Sequence, residues 1–437
     1  MQSHTLRIWS AAILLGSISA TPTTPLGKDS WALLVAGSNS YMNYRHQADV
    51  CHSYHVMIAE GIPAERIIVM MYDDIAYSAL NPFPGTIINR PGGPNVYKGV
   101  KIDYRGTDVT PTNFLRVLKG DKQAMQGIGS GRVIESDRDT NIFVYFSDHG
   151  GYQVLAFPTG FLLASSLTNT LIEMYRSNRY NKIIMYIEAC FAGSLFDGIL
   201  PNNMRVFAMT ASARNENSYP LFWDYSYRAH LADVFSFFWL DRMDSTRNGT
   251  FDQFFNQFQV LRLQVPTSHV EIYGDFSIGF DAMTPNHAAP TTPSWPDQNL
   301  YSVVDVPVFH HERMIDAARD LRSKQAAQQE YDLLVQGRKV FDELMEEIAK
   351  VATEGTGHTS SEVLVPFPPA TPEISPCYES LIDTFARHCF AHEHHYILKH
   401  LRVFANICIM KLDAAKLEAR MPSLCAPYAD RVMTVVL

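Results

Sequence analysis

Beyond Ala20 the chain has no apolar run approaching the roughly 20 residues that span a bilayer, so no membrane anchor is expected in the mature protein. Positive charge is not in excess. Lys and Arg number 36 against 45 Asp and Glu, giving a formal charge of −9 and a pI near 6.0. Nucleic-acid binders carry a basic face, so no nucleic-acid partner is expected. Charged residues are only 19% of the chain and hydrophobic ones 46%, which excludes wholesale disorder. Cysteine is sparse, at six, and no internal repeat is visible.

What is present begins with a targeting pattern. His4 and Arg7 precede the apolar run Ile8–Ile18, followed by the small residues Ser19 and Ala20. That order predicts a secretory signal peptide over residues 1–20, ahead of the Thr/Pro-rich Thr21–Pro25. Export permits disulfides. Cys377, Cys389, Cys408 and Cys425 cluster near the end and predict two bridges, with three pairings open. Cys51 and Cys190 stand alone. Asn248-Gly249-Thr250 is a glycosylation sequon, which places a candidate glycan on Asn248.

Short apolar runs predict strands at Trp31–Ala36, Arg66–Tyr72, Asn141–Ser147, Lys182–Glu188 and Arg205–Thr210. Helical patterns lie between them at His46–Glu60, Thr112–Leu118, Ser165–Asn178 and Leu231–Leu240. Strand–helix alternation predicts an α/β domain around a mostly parallel sheet flanked by helices, over residues 26–284. Repeated proline marks 285–309 as a linker. Residues 310–437 turn helical, with Leu333, Leu334, Val340, Leu344 and Ile348 on one face. They predict an all-helical, disulfide-stapled second domain.

Two strand ends carry candidate chemistry. Asn141–Ser147 runs into Asp148-His149-Gly150-Gly151, and Lys182–Ile187 into Glu188-Ala189-Cys190. In open α/β sheets, sites gather beyond the C-terminal strand ends. A thiolate there is a nucleophile, and a neighbouring imidazolium lowers its pKa and protonates the departing amine. The N–H groups of Gly150 and Cys190 could form an oxyanion hole. Cys51 reads as a buried thiol in a core-facing helix. His52 and His55, at i and i+3, lack a third ligand, so a structural or solvated role is expected. Ala391-His392-Glu393-His394-His395 departs from the H-E-x-x-H zinc spacing and reads as a polar helix face.

Longer motifs carry a family resemblance. Val35-Ala36-Gly37-Ser38-Asn39, then Asn43-Tyr44-Arg45-His46-Gln47-Ala48-Asp49, resembles the opening signature of the legumains, the asparaginyl endopeptidases. So do Met70–Ala76, Asn89-Arg90-Pro91, Asp108–Pro111, Gly127–Gly131, Ser147–Gly150 and Tyr186–Cys190. The resemblance implies a caspase-like fold, a His149–Cys190 dyad needing no metal or cofactor, and Asn43 orienting the histidine. It implies an asparagine pocket of Arg45, His46, Glu188, Ser218 and Asp233. Arg45 would donate to the carboxamide oxygen, and Glu188 and Asp233 would accept from its nitrogen. Aspartate should enter only when protonated, hence at acid pH. The resemblance also implies disulfides Cys377–Cys408 and Cys389–Cys425. The C-terminal region would be an inhibitory prodomain released by acid and autocleavage, in a lysosomal or secreted enzyme. Implied partners are protein and peptide substrates, the prodomain itself and cystatin-type inhibitors.

The family is associated with succinimide formation at the aspartate before the histidine; here Asp148 is followed by His149 rather than Gly. Departures are Phe191-Ala192 after the nucleophile, in place of Glu-Ser, and Lys119-Gly120-Asp121, where some relatives carry Arg-Gly-Asp. No asparagine marks an activation site in His310–Asp320, which leaves Asn286 and Asn299 as alternatives. Competing readings are a peptide ligase using the same acyl-enzyme, a non-catalytic scaffold, and a transamidase subunit. The last normally ends in a membrane span, which Val432–Leu437 is too short to supply.

Overall fold

The computed structural model describes residues 26–245, 254–280, 301–365, 368, 374–389 and 395–433. The expected signal peptide, Asn248, Asn286 and Asn299 lie outside them.

The first apolar run forms strand β1 (Trp31–Ala36), every residue of which is buried. Helix α1 (Tyr44–Ala59) leads to β2 (Ile67–Met70). Helix α2 (Pro111–Lys119) has ordinary helix punctuation. The Thr110 hydroxyl accepts from the Asn113 amide, proline opens the first turn, and Gly120 ends the helix at φ +79°. Strand β3 (Asn141–Ser147) runs into the short β4 (Gly150–Gly151), β5 (Val154–Phe157) and β6 (Gly160–Leu163). Helix α3 (Ala164–Arg176), β7 (Lys182–Glu188) and β8 (Val206–Thr210) follow. A hairpin of β9 (Pro220–Asp224) and β10 (Ala229–Asp233) precedes α4 (Val234–Ser245), α5 (Phe254–Gln264) and β11 (Glu271–Gly274).

The main sheet has the order β11-β8-β7-β3-β1-β2. All its pairs are parallel except the edge pair of β11 with β8. The expected α/β sheet is therefore present. Strands buried on both faces read as continuous apolar runs, which is why β1, β3 and β7 match their sequence boundaries. Leu231–Asp233 is strand, not helix: the apolar run from Leu231 to Leu240 hides the strand-to-helix change at Val234.

The helical region opens with α6 (Val306–Ala317) and the long α7 (Leu321–Thr353), capped by the Asp320 side chain on the Ser323 amide. Next come α8 (Ser360–Leu364), α9 (Ser375–His388), α10 (Arg402–Ile409) and α11 (Ala414–Met433). Disulfides Cys377–Cys408 and Cys389–Cys425 tie this region together, with Cα separations of 5.9 and 5.0 Å. Among the described residues no helix is long and apolar enough to cross a membrane.

Candidate active site

Register positions the site. Ser147 lies opposite Glu188 on the β3–β7 ladder and opposite Ala36 on the β1–β3 ladder. The Asp148 amide donates to the Glu188 carbonyl at 3.0 Å. The two strand-end motifs therefore emerge side by side. Gly150 is packed so closely that a Cβ there would lie 2.4 Å from the Cys190 carbonyl oxygen. Any larger residue would push the histidine strand end and the cysteine strand end apart.

His149 is held by α1's leading turn. Asn43 Nδ2 donates to the Asn39 carbonyl at 2.9 Å, which turns its Oδ1 toward His149 Nε2 at 2.8 Å. The amide oxygen can only accept, so Nε2 carries the proton and Nδ1 is left for exchange with another group. Ser218 donates its amide to Cys190 Sγ at 3.4 Å. Burial pushes the Cys190 thiol up to about 12, against which the Ser218 hydrogen bonds pull down. Burial, then the neighbouring His395, His46 and Arg45, holds His149 well below the ordinary histidine range. Burial thus disfavours the charged form of both groups while the site is covered.

The five expected pocket residues also converge. Arg45 and His46 open α1, Glu188 ends β7, Ser218 precedes β9 and Asp233 ends β10. All are buried. Arg45 Nε donates to Asp233 Oδ1 at 2.9 Å. Glu188 Oε2 accepts from the Ser236 amide and hydroxyl at 2.9 and 2.8 Å. One donor and two acceptors have no hydrogen-bond partner: Arg45 Nη2, Glu188 Oε1 and Asp233 Oδ2. Buried polar atoms are rarely left so. Burial, with Asp233 beside it, raises the Glu188 carboxyl, and burial raises Asp233 despite Arg45.

The helical region packs against this end of the sheet. Tyr152, Val154 and Ala156 of the β4–β5 hairpin share one hydrophobic cluster with Leu381, Leu398 and Phe404. Tyr378 donates its hydroxyl to the Tyr152 carbonyl, and Ser165 donates to Glu379. The His395 ring lies on His149, with centroids 4.1 Å apart. Val303 is buried against Cys190 and Phe191.

Sequence reasoning missed several of these. His395 was read as part of a polar helix face; His392, Glu393 and His394 lie outside the described residues. Ser236 and Val303 gave no signal, because their roles depend on contacts across 48 and 85–113 positions of chain. Cys51 is fully buried as expected, His52 pairs with Asn89 and Asp244, and His55 with the Val96 carbonyl. Among the described residues, ligand-capable atoms of His46, Asp148 and His149 lie within 4.8 Å of one another and could hold a metal ion, although thiol–imidazole chemistry requires none.

A thiol and an imidazole at adjoining ends of a parallel sheet, beside a polar pocket and beneath a helical cap, describe a cysteine-type endopeptidase with a prodomain. Residues 30–286 match the family model described as "Peptidase C13 family", and residues 329–425 match "Legumain, prodomain". The chain belongs to the peptidase C13 family. It is 36% identical to "Legumain" of Bos taurus, covering 96% of this chain and 100% of that one. It is 35% identical to "Legumain" of Canavalia ensiformis, covering 97% and 93%. It is also 35% identical to the "Vacuolar-processing enzyme beta-isozyme" of Arabidopsis thaliana, covering 93% and 88%.

Proposed function

We propose that this endopeptidase cleaves after asparagine, and after aspartate at acid pH, and that it is made as a zymogen. The observation that carries this reading is the set of unpaired atoms beside the nucleophile. A side-chain carboxamide offers one acceptor and two donors. Arg45 Nη2 can donate to its oxygen, while Glu188 Oε1 and Asp233 Oδ2 can accept from its nitrogen. His46 backs Asp233, its Nε2 3.6 Å from Oδ2, and Ser218 flanks the sulfur. A buried pocket of this kind rejects side chains that leave its groups unpaired. An aspartate carboxylate would bring no N–H to these two acceptors and would be desolvated beside them, so it must be protonated to enter.

In the catalytic step, Cys190 Sγ attacks the scissile carbonyl carbon as a thiolate. The Gly150 and Cys190 N–H groups stabilise the oxyanion. His149, oriented by Asn43, returns the proton to the leaving amine, and water then releases the acyl group. An added amine in place of water would give ligation from the same intermediate. Acid and autocleavage would release the cap. Disulfides, the signal-like leader and the sequon at Asn248 support passage through the secretory pathway to a lysosome-like compartment or the exterior. Cystatin-type proteins would be natural inhibitors.

The test is hydrolysis of a fluorogenic Ala-Ala-Asn peptide after incubation at about pH 4–5, where exposed carboxylates and histidines take up protons, beside a Cys190→Ser control. Activity in the first and none in the second is expected. Equal hydrolysis of Ala-Ala-Gln would remove the pocket assignment.

A further inference from the structure

The nucleophile sits in a small apolar cluster separate from the two large cores of the catalytic domain. Its buried members are Cys190, Phe191 and Val303, with Val304 packed against them. Phe191 is 5% exposed and Val303 only 1%. Phe191 follows the nucleophile in the left-handed backbone region, φ +56°. That region is costly for a bulky side chain and persists only where its surroundings fix it. They do so here: the Phe191 amide donates to the Glu216 carbonyl at 2.8 Å, and its carbonyl accepts from the Ser194 hydroxyl at 2.6 Å. The ring is thereby set beside the sulfur by the catalytic domain itself.

Val303 comes from the segment that leads into α6. Its amide donates to the Ser218 carbonyl at 3.1 Å, and Ser218 is the residue whose own amide reaches Cys190 Sγ. A chain bonded to that carbonyl is therefore within a residue of the reacting sulfur. The segment is held there by Arg338 of α7, which donates to the Val304 carbonyl and to Asp305 Oδ1 at 2.9 Å. Val303 cannot satisfy the polar pocket, and its β-branched side chain joins the Cys190–Phe191 cluster instead.

We propose that Phe191 is a specificity-determining wall, forming an apolar subsite for a branched aliphatic residue next to the cleaved one, which Val303 fills in the capped chain. This rests on the peptidase reading but not on which residue the polar pocket accepts. When the segment leaves, Phe191 presents its face to solvent beside the nucleophile. A substrate that covers it with Val, Ile or Leu regains that buried area, while Asp or Lys there desolvates a charge without a partner.

The experiment digests a mixed peptide library with the full-length protein after acid incubation, and reads the residues flanking each cut by mass spectrometry. Val, Ile and Leu should be enriched at one position adjoining the cleaved residue. Phe191→Gln should remove the enrichment and lower kcat/KM on the best aliphatic substrate by about tenfold, the scale of an apolar contact in a pocket. Substrates with Lys or Asp at that position should lose far less or gain, because the Gln side chain offers the charge a polar partner. Phe191→Leu, which keeps the site apolar but shortens it, should shift the preference toward Phe. A Tyr-Ser-Val-Val-Asp-Val peptide should compete with substrate, and its Val303→Asp counterpart should not. No aliphatic enrichment in the wild type, or the same enrichment in both variants, overturns the proposal. Aliphatic enrichment beside a cleaved residue other than Asn or Asp keeps it and overturns the pocket assignment instead.

Discussion

Asn43 illustrates how much one side chain can settle. Its two amide atoms are committed in opposite directions, one to the Asn39 carbonyl and one to His149. The first bond selects which end faces the imidazole, and the second selects the tautomer. Asn43→Ala would leave both ring nitrogens free to carry the proton. The expected outcome is a fall in kcat of about ten- to a hundredfold with KM nearly unchanged, as befits a positioning residue. Steady-state kinetics on the Asn peptide read this directly; an unchanged kcat would mean that the amide only braces the start of α1. The placement of His149 and Cys190 at adjoining strand ends was legible in the sequence, because both residues follow apolar runs of strand length. The orientation of the Asn43 amide was not, since it depends on a local contact that spacing alone cannot fix.

Among elements, the β4–β5 hairpin has two faces to satisfy. Gly150 approaches the Cys190 carbonyl, while Tyr152, Val154 and Ala156 belong to the hydrophobic cluster of the helical cap. The same few residues thus complete the catalytic crevice and bury the prodomain. Their joint is the hydroxyl of Tyr378 on the Tyr152 carbonyl, both rings being buried. Tyr378→Phe keeps the ring and removes the donor, leaving a buried carbonyl short of one partner, at about 1 kcal/mol. Cap release at acid pH should then speed up by roughly fivefold, with the activated enzyme unchanged. Time courses of cleavage by gel electrophoresis would show it, and an unchanged rate would place the limiting step elsewhere. No sequence pattern announced this hairpin. β4 has two residues, too short for alternation to register, and the end of β10 merged with the apolar run of α4. The long parallel strands were readable because burial on both faces leaves an unbroken apolar signature.

For the whole molecule, acid acts in opposite senses on the core and on the cap. Glu188 and Asp233 are raised by burial, so the folded catalytic domain holds their protons more readily than an unfolded chain would. Their contribution is present at low pH and lost as pH rises, which makes the pocket tolerant of acid. The histidines under the cap behave conversely. His310 of α6 packs on Trp223, and burial, then His311 and Arg228, lowers it from 6.5 to about 4. His230, close to Tyr301 and Phe309, is lowered by burial, then by Arg45 and His310. Such groups must stay neutral while docked but take up protons once free. Docking should therefore weaken as pH falls from 6.5 toward the docked value of about 4. His310→Phe preserves an aromatic ring against Trp223 and removes the titrating nitrogens. We expect it to need a lower pH for release of the cap, with the neutral-pH thermal transition little changed. Activity recovered after incubation across a pH series gives the midpoint. If the midpoint stays with the wild type, His310 does not set the acid response, and the His149–His395 contact, with ring centroids 4.1 Å apart, is the next one to test.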